Sequence, residues 1–227
     1  MNIHDEQKRA AARRALELVE PGMLLGIGSG STARFFIEAL GERVAKGLRI
    51  SAIATSRQSE ELARRLGITL VDDPVQPIDL AVDGADEIDP QLRLIKGHGG
   101  ALFREKLVAS SARRFIVIAD ASKLVRRLGQ TFVPVEILPF LWRQTAQRLA
   151  VLGADSRLRT GEGTPYLTDN GNLILDLTFA EGIEDPEGTA AAIKATTGVL
   201  EHGLFLGLAT GAIVAEPEGL RILGSLS

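Results

Sequence analysis

Three short stretches of this sequence gather groups that can do chemistry. "DGADEID", Asp83 to Asp89, follows the apolar run Leu80-Ala81-Val82 and is dense in carboxylates. Such a cluster can be a solvated turn, a cage for a hard cation such as magnesium, or a loop that binds hydroxyls and moves protons. "GIGSGSTA", Gly26 to Ala33, combines small residues with the hydroxyls of Ser29, Ser31 and Thr32. Small residues let the backbone approach a ligand, and a following helix would add free N–H groups and a positive dipole end. The stretch reads as a cradle for phosphate or sugar hydroxyls, against the plainer alternative of a glycine-rich turn. "IKGHGGALFREK" is the third, with Lys96 between Ile95 and Gly97, His98 within the glycines, and Glu105 in the first turns of a helix. Lys96 is either a site residue or a surface lysine. Glu105 is either a site carboxylate or a surface glutamate favoured by the helix dipole. A lone histidine such as His98 is more often a hydrogen-bonding loop residue than a base.

The elements that must position these groups follow from the apolar pattern. Helical spacing runs from Asp5 to Glu20, where Pro21-Gly22 stops it. "MLLGIG", "RISAIAT", "ITLV", "IDLAVD", "LRLIKG" and "RFIVIAD" read as strands, and "ARFFIEALGERV", "SRQSEELARRLG" and "GALFREKLVASSARR" as helices. Thr55 with Gln58 resembles a capping box for the second of these helices. The apolar strands do not alternate, as expected when helices cover both faces of a sheet. The class is therefore α/β, a Rossmann-like, mostly parallel sheet flanked by helices. Asp83 and Asp86 then fall at a strand's carboxyl end, where open α/β sheets bind ligands. Lys123 in "ADASKL" follows the last buried strand and emerges at the same edge.

After Gly129 the rhythm changes. "FVPVEIL", with Pro134 suggesting an edge strand, is followed by a helix, a hairpin around Asp169-Asn170-Gly171-Asn172, a helix capped by Asp185, and the strand "VLEHGLFLG". That order suits a smaller α+β domain of ferredoxin-like type. The expected division is residues 1–129 with 207–227 for the Rossmann-like domain, and 130–206 for the small one.

Composition narrows the function classes. The net charge of -3 offers no basic field for nucleic acid. With Cys at 0, disulfides, thiol catalysis and cysteine zinc sites are excluded, and a reducing cytoplasm is the expected setting. No run approaches the roughly 18 apolar residues of a membrane span, and the N-terminal stretch lacks a signal-peptide core. Gly28, Gly30 and Ala33 formally fit the G-x-G-x-x-A dinucleotide pattern. However, the second strand ends in Thr55-Ser56-Arg57, with no acid for the ribose hydroxyls, so only an NADP reading through Arg57 survives. There is no Walker A lysine, no HExxH and no nucleophile elbow.

"GIGSGSTA", "DLAVDGADEID", "IKGHGGALFREK", "IADASK" and "TDNGN" together resemble, in order and spacing, the type A ribose-5-phosphate isomerase family. The resemblance covers nearly the whole chain. It implies a cofactor-free, metal-free interconversion of ribose 5-phosphate and ribulose 5-phosphate in the pentose phosphate pathway. It places the catalytic base at Glu105, with Asp83, Asp86 and Lys96 as further catalytic groups. Substrate binding falls on Ser29, Gly30, Ser31 and Thr32; on Asp83, Gly84, Ala85 and Asp86; on Lys96, Gly97, His98 and Gly99; and on Lys123. It also implies a cytoplasmic homodimer, or a tetramer, with a sugar phosphate as partner and neither nucleic acid nor membrane. An NADP-binding oxidoreductase and a non-catalytic sugar-phosphate sensor are the alternatives. Ser29 stands where many relatives carry Thr, which keeps the hydroxyl. His98 interrupts the family's glycine run, and a position with φ > 0 would disfavour it. Of the acidic cluster, Asp83 and Asp86 are expected to face the sugar, and Glu87 and Asp89 to be a solvated turn.

Overall fold

The computed structural model describes residues 3–227, and elements are numbered along the chain. Two compact units form: Met1–Ala85 with Arg104–Lys123 and Gly207–Ser227, and Asp86–Phe103 with Leu124–Leu206. Residues 86–103 and 124–129 thus group with the smaller unit, whereas the sequence reading placed them with the larger.

The larger unit is built on a seven-stranded sheet. Its strands are β1 (Leu24–Ile27), β2 (Ser51–Ala54), β3 (Thr69–Leu70), β4 (Leu80–Asp83), β7 (Phe115–Asp120), β15 (Gly211–Glu216) and β16 (Gly219–Gly224). The order is β16-β15-β7-β4-β1-β2-β3, parallel throughout except for β16, which runs antiparallel to β15 at one edge. Strand order reverses between β1 and β4, so the loops leaving these two strands flank a topological switch point, the usual ligand crevice of such sheets.

Side-chain alternation assigns the faces. Leu25, Ile27, Leu80, Val82, Ile116 and Ile118 pack into one core with Ala11, Ala12 and Ala15 of α1 (Ile3–Leu16) and with Phe36 and Leu40 of α2 (Gly30–Ala45). The opposite face carries Gly26 and Ala81, and at the end of β4 the same parity turns Asp83 to that side. There it meets α4 (Leu102–Ser110): a Cβ at Gly26 would lie 2.3 Å from Val108 Cγ1 and 3.0 Å from the Ala81 Cβ. Small residues in β1 and β4 therefore let α4 sit close to the sheet.

In the smaller unit, β8 (Val133–Ile137), β9 (Asp155–Leu158), β12 (Leu173–Thr178) and β13 (Val199–His202) form an antiparallel sheet in the order β13-β8-β12-β9. The elements α5 (Trp142–Ala150) and α6 (Pro186–Ala195) supply its helices, giving a ferredoxin-like strand order. A short hairpin pairs β10 (Thr160–Gly161) with β11 (Thr164–Pro165). A three-stranded sheet joins β5 (Glu87–Ile88), β6 (Leu94–Ile95) and β14 (Leu204–Phe205).

Several local expectations are corrected. The first helix ends at Leu16 rather than Glu20, the chain continuing in turns. The cap of α3 (Arg57–Arg65) is Ser56, whose hydroxyl accepts from the Ser59 amide at 3.2 Å; Thr55 is drawn instead onto Ser29 Oγ at 2.7 Å. Pro134 lies on an interior strand, not an edge. The β13 ladder stops at Val135, so the missing N–H falls just past its end, while the Pro134 carbonyl accepts from Gly203. The Asp169–Asn172 turn forms, but Tyr166 to Thr168 do not make a strand, and β12 pairs with β9. The segment "VLEHGLFLG" is two strands in different sheets, broken at Gly203.

Gly26→Ala is expected to lose about 1–3 kcal/mol by overpacking against Val108. Urea unfolding with an unchanged m-value measures this, and a variant as stable as the parent would show that α4 does not depend on the missing Cβ.

Candidate active site

In the larger unit the site begins with backbone pressed against a carboxylate. A Cβ at Gly28 would lie 2.0 Å from Asp83 Oδ1, so only glycine fits there. The Asp83 carboxylate accepts the Ser29 amide at 3.0 Å and the Gly84 amide at 2.7 Å on the same oxygen. The carboxylate thus ties the glycine loop after β1 to the acidic loop after β4. Ser59 completes the loop by donating to the Gly28 carbonyl at 2.6 Å. Gly84 lies beneath Thr32, whose Cβ would be 3.6 Å from a Cβ placed there.

Glu105 belongs to the same recess. It lines one small space with Gly26, Gly28, Thr55 and Asp83. It is 6% exposed, which removes the surface-glutamate reading. The gap is too small to hold a water; it shows only that the Asp83 and Glu105 carboxylates lie on the walls of one space beneath α4, and such a pair is of the kind that binds hydroxyls and moves protons.

A cationic group flanks the loop. Lys8 of α1 donates from Nζ to Ser31 Oγ at 3.1 Å. Lys123 closes the short 3-10 turn Ala121–Lys123 that follows β7. Burial pushes the Asp120 carboxyl up, but hydrogen bonds from the Ser122 hydroxyl and amide, with the charges of Lys123 and Lys8, outweigh it and hold the group below its ordinary value. Both lysine charges therefore bear on the end of β7, beside hydroxyls and the N-terminus of α2, a setting for an anion. Lys8 is absent from the sequence expectation. Its helix also carries Arg9, Arg13 and Arg14, and nothing in the pattern singles it out.

The smaller unit holds the other expected residues. Asp86 accepts the His98 amide through Oδ2 at 3.0 Å, and its Oδ1 stands 3.6 Å from His98 Nδ1. Lys96 is 2% exposed, its amide bonded to the Gly203 carbonyl and its ammonium 5.5 Å from the Phe205 ring centre. A lysine so buried is retained for chemistry more readily than for stability. Gly97 takes φ +102, whereas His98 does not have positive φ, so the histidine departs from the glycine run without backbone strain. Its ring stacks on Phe132 with centroids 4.0 Å apart, and Nε2 lies 3.1 Å from the Phe132 carbonyl. Gly99 is exposed.

The remaining acids of "DGADEID" correct the solvated-turn expectation. Glu87 is 1% exposed and accepts the Gly129 amide, the Thr131 amide and the Thr131 hydroxyl. Asp89 is equally buried; it accepts the amides of Gln91 and Arg93 and pairs with the Arg93 guanidinium at 2.6 Å. Both are structural anchors because their backbone and hydroxyl donors satisfy them away from water. Among the described residues, no three His, Asp or Glu side chains converge as a metal site. No helix among them is long and apolar enough to cross a membrane.

Comparison with known proteins gives the family and the fold. Residues 51–219 match the family model of ribose 5-phosphate isomerase A (phosphoriboisomerase A). A ribose-5-phosphate isomerase A of Parvibaculum lavamentivorans is 49% identical over 227 residues, covering 96% of this chain and 98% of that one. A solved D-ribose-5-phosphate isomerase in complex with phospho-erythronic acid superposes with TM-score 0.95 at 41% identity, covering 99% of this chain and 100% of the other. Ribose 5-phosphate isomerase from Plasmodium falciparum follows with TM-score 0.94 at 38% identity, covering 98% and 100%. These relatives share the α/β architecture and give no support to a dinucleotide oxidoreductase or a sensor. The chain belongs to the ribose 5-phosphate isomerase A family.

Proposed function

We propose that this chain interconverts D-ribose 5-phosphate and D-ribulose 5-phosphate by cofactor-free enediolate proton transfer, with Glu105 as the base. The family carries the reaction; the observation that carries the assignment of the base is the buried Glu105 carboxylate in the recess lined by Gly28 and Asp83. Isomerisation moves a proton between C2 and C1, so a single carboxylate can remove it from one carbon and return it to the other. Negative charge builds on the sugar oxygens as the proton leaves, and pre-placed donors lower that barrier.

In this reading Asp83 and Asp86 bind sugar hydroxyls and assist ring opening, and Lys96 stabilises the enediolate oxygens. Gly84, Ala85, Gly97, His98 and Gly99 line the substrate with backbone. Ser29, Gly30, Ser31 and Thr32, with Lys123 and Lys8, hold substrate oxygens and phosphate. Phospho-erythronic acid, bound by the 41% identical relative, joins a phosphate to a planar carboxylate and so resembles an enediolate in shape and charge. We infer further that the enzyme works in the pentose phosphate pathway as a cytoplasmic homodimer. The absence of cysteine suits a reducing compartment, and the exposed Leu138, Phe140 and Leu141 suit a covered face.

Glu105→Gln is expected to lower kcat by about 10²–10⁴-fold, the usual contribution of a positioned acid–base group, while KM stays close to the parent value. Near-parental turnover in a coupled ribose 5-phosphate assay would remove Glu105 from this role. Lys8→Met should lower kcat/KM by about 10-fold or more through loss of a charged hydrogen bond, chiefly in KM and less so at high salt. An unchanged KM would place the phosphate elsewhere. Turnover should also persist in EDTA; loss on chelation with recovery on Mg²⁺ would show a metal requirement.

A further inference from the structure

Within the smaller unit, one arginine reaches the glycine loop from a distant strand pair. Arg159 follows β9, its amide bonded to the Ile174 carbonyl of β12 at 2.9 Å. Its guanidinium makes two sets of contacts. Nε donates to Asp176 Oδ2 at 3.0 Å and Nη2 to Asp176 Oδ1, a two-point ion pair. Nη1 donates to the Gly97 carbonyl at 3.1 Å and to the His98 carbonyl at 2.9 Å. Phe132 and Tyr166 flank it, their ring centres 5.4 and 5.9 Å from Cζ. Arg159 and Asp176 are only 12% and 18% exposed at their side chains.

Such a pair is costly to bury and is not needed to hold β9 to β12, which backbone hydrogen bonds already join. What the guanidinium adds is a fixed direction for two successive peptide planes. No cis peptide is present among the described residues, so a carbonyl turned toward Arg159 turns the following N–H away from it. The His98 amide accordingly meets Asp86 at 3.0 Å on the other side. The loop between Lys96 and Gly100 is therefore held on its carbonyl side by Arg159 and on its amide side by Asp86. Gly97, Gly99 and Gly100 have no side chains to pack, so besides the His98 ring on Phe132, the Gly100 amide on the Gly97 carbonyl and the Tyr166 hydroxyl on the Gly99 carbonyl, these hydrogen bonds fix the shape of the loop.

We propose that Arg159, anchored by Asp176, is a positioning residue for the isomerisation: it fixes the Gly97 and His98 peptides and so holds the loop that starts at Lys96 in its working shape. The proposal rests on the reading that this loop handles substrate. Arg159 touches no reacting atom; it acts through the peptides. Lysine cannot replace it, because one ammonium cannot span both carbonyls and both carboxylate oxygens in a planar fork.

The test compares Arg159→Met, Arg159→Lys, Arg159→Ala and Asp176→Asn with Lys96→Met on purified full-length protein. The readouts are thermal unfolding, kcat and KM for ribose 5-phosphate, and kcat in added guanidinium at sub-denaturing concentration. Misplacement of a catalytic loop costs up to about 100-fold, so Arg159→Met should lose about 10- to 100-fold in kcat per folded molecule with KM little changed. Arg159→Lys should recover little, and guanidinium should restore part of the turnover of Arg159→Ala without accelerating the parent. Parental kcat in Arg159→Lys or Arg159→Met beside an inactive Lys96→Met would overturn the positioning role alone. So would a loss explained wholly by a smaller folded fraction and insensitive to guanidinium. Parental turnover in Lys96→Met would instead overturn the reading of the loop itself, and the proposal with it.

Discussion

The Asp83 carboxylate lies where a Cβ at position 28 would have to be, 2.0 Å from that point. This exclusion organises the candidate site residues of the larger unit. Because position 28 is glycine, β1 can leave the sheet with its backbone against β4, and the Ser29 amide reaches Asp83. A single carboxylate oxygen then serves the two loops that flank the switch point of the sheet. Small residues one step earlier, at Gly26 and Ala81, admit α4 against the same face, and α4 brings Glu105 into the recess. Sheet parity, a missing side chain and a shared acceptor thus place two carboxylates on one space.

The glycine loop of the smaller unit is held by different means. There the chain gains freedom from Gly97, Gly99 and Gly100 and loses it again where Asp86 accepts the His98 amide and Arg159 donates to the Gly97 and His98 carbonyls. Glu87 and Asp89 act in the same spirit at the neighbouring turn, tying Gly129, Thr131 and Arg93 into place. All four acids of "DGADEID" thus accept backbone amides, and Glu87 and Asp89 are buried in doing so.

Much of this was legible in the residues. Unbroken apolar strands separated by helices give a doubly covered parallel sheet, and the strand-end position of Asp83 follows from the run before it. What escaped depended on partners distant in sequence. Whether Glu87 is solvated is decided by Gly129 and Thr131, over forty residues downstream. Lys8 sits among several basic residues on α1, and only the packing of that helix selects it for Ser31. Pro134 satisfies an interior strand because the β13 ladder ends beside it, which no local pattern reveals. Thr55 fits a cap by type and spacing, yet Ser29 claims its hydroxyl.

The central claim is that the Glu105 carboxylate removes the C2 proton of ribose 5-phosphate. Deuterium uptake at carbon, followed by NMR for substrate incubated in D₂O, reads that step apart from binding and product release. The account predicts that the parent enzyme labels the sugar during turnover and that Glu105→Gln abolishes both labelling and product. Labelling or product formation at the parental rate in Glu105→Gln would contradict it.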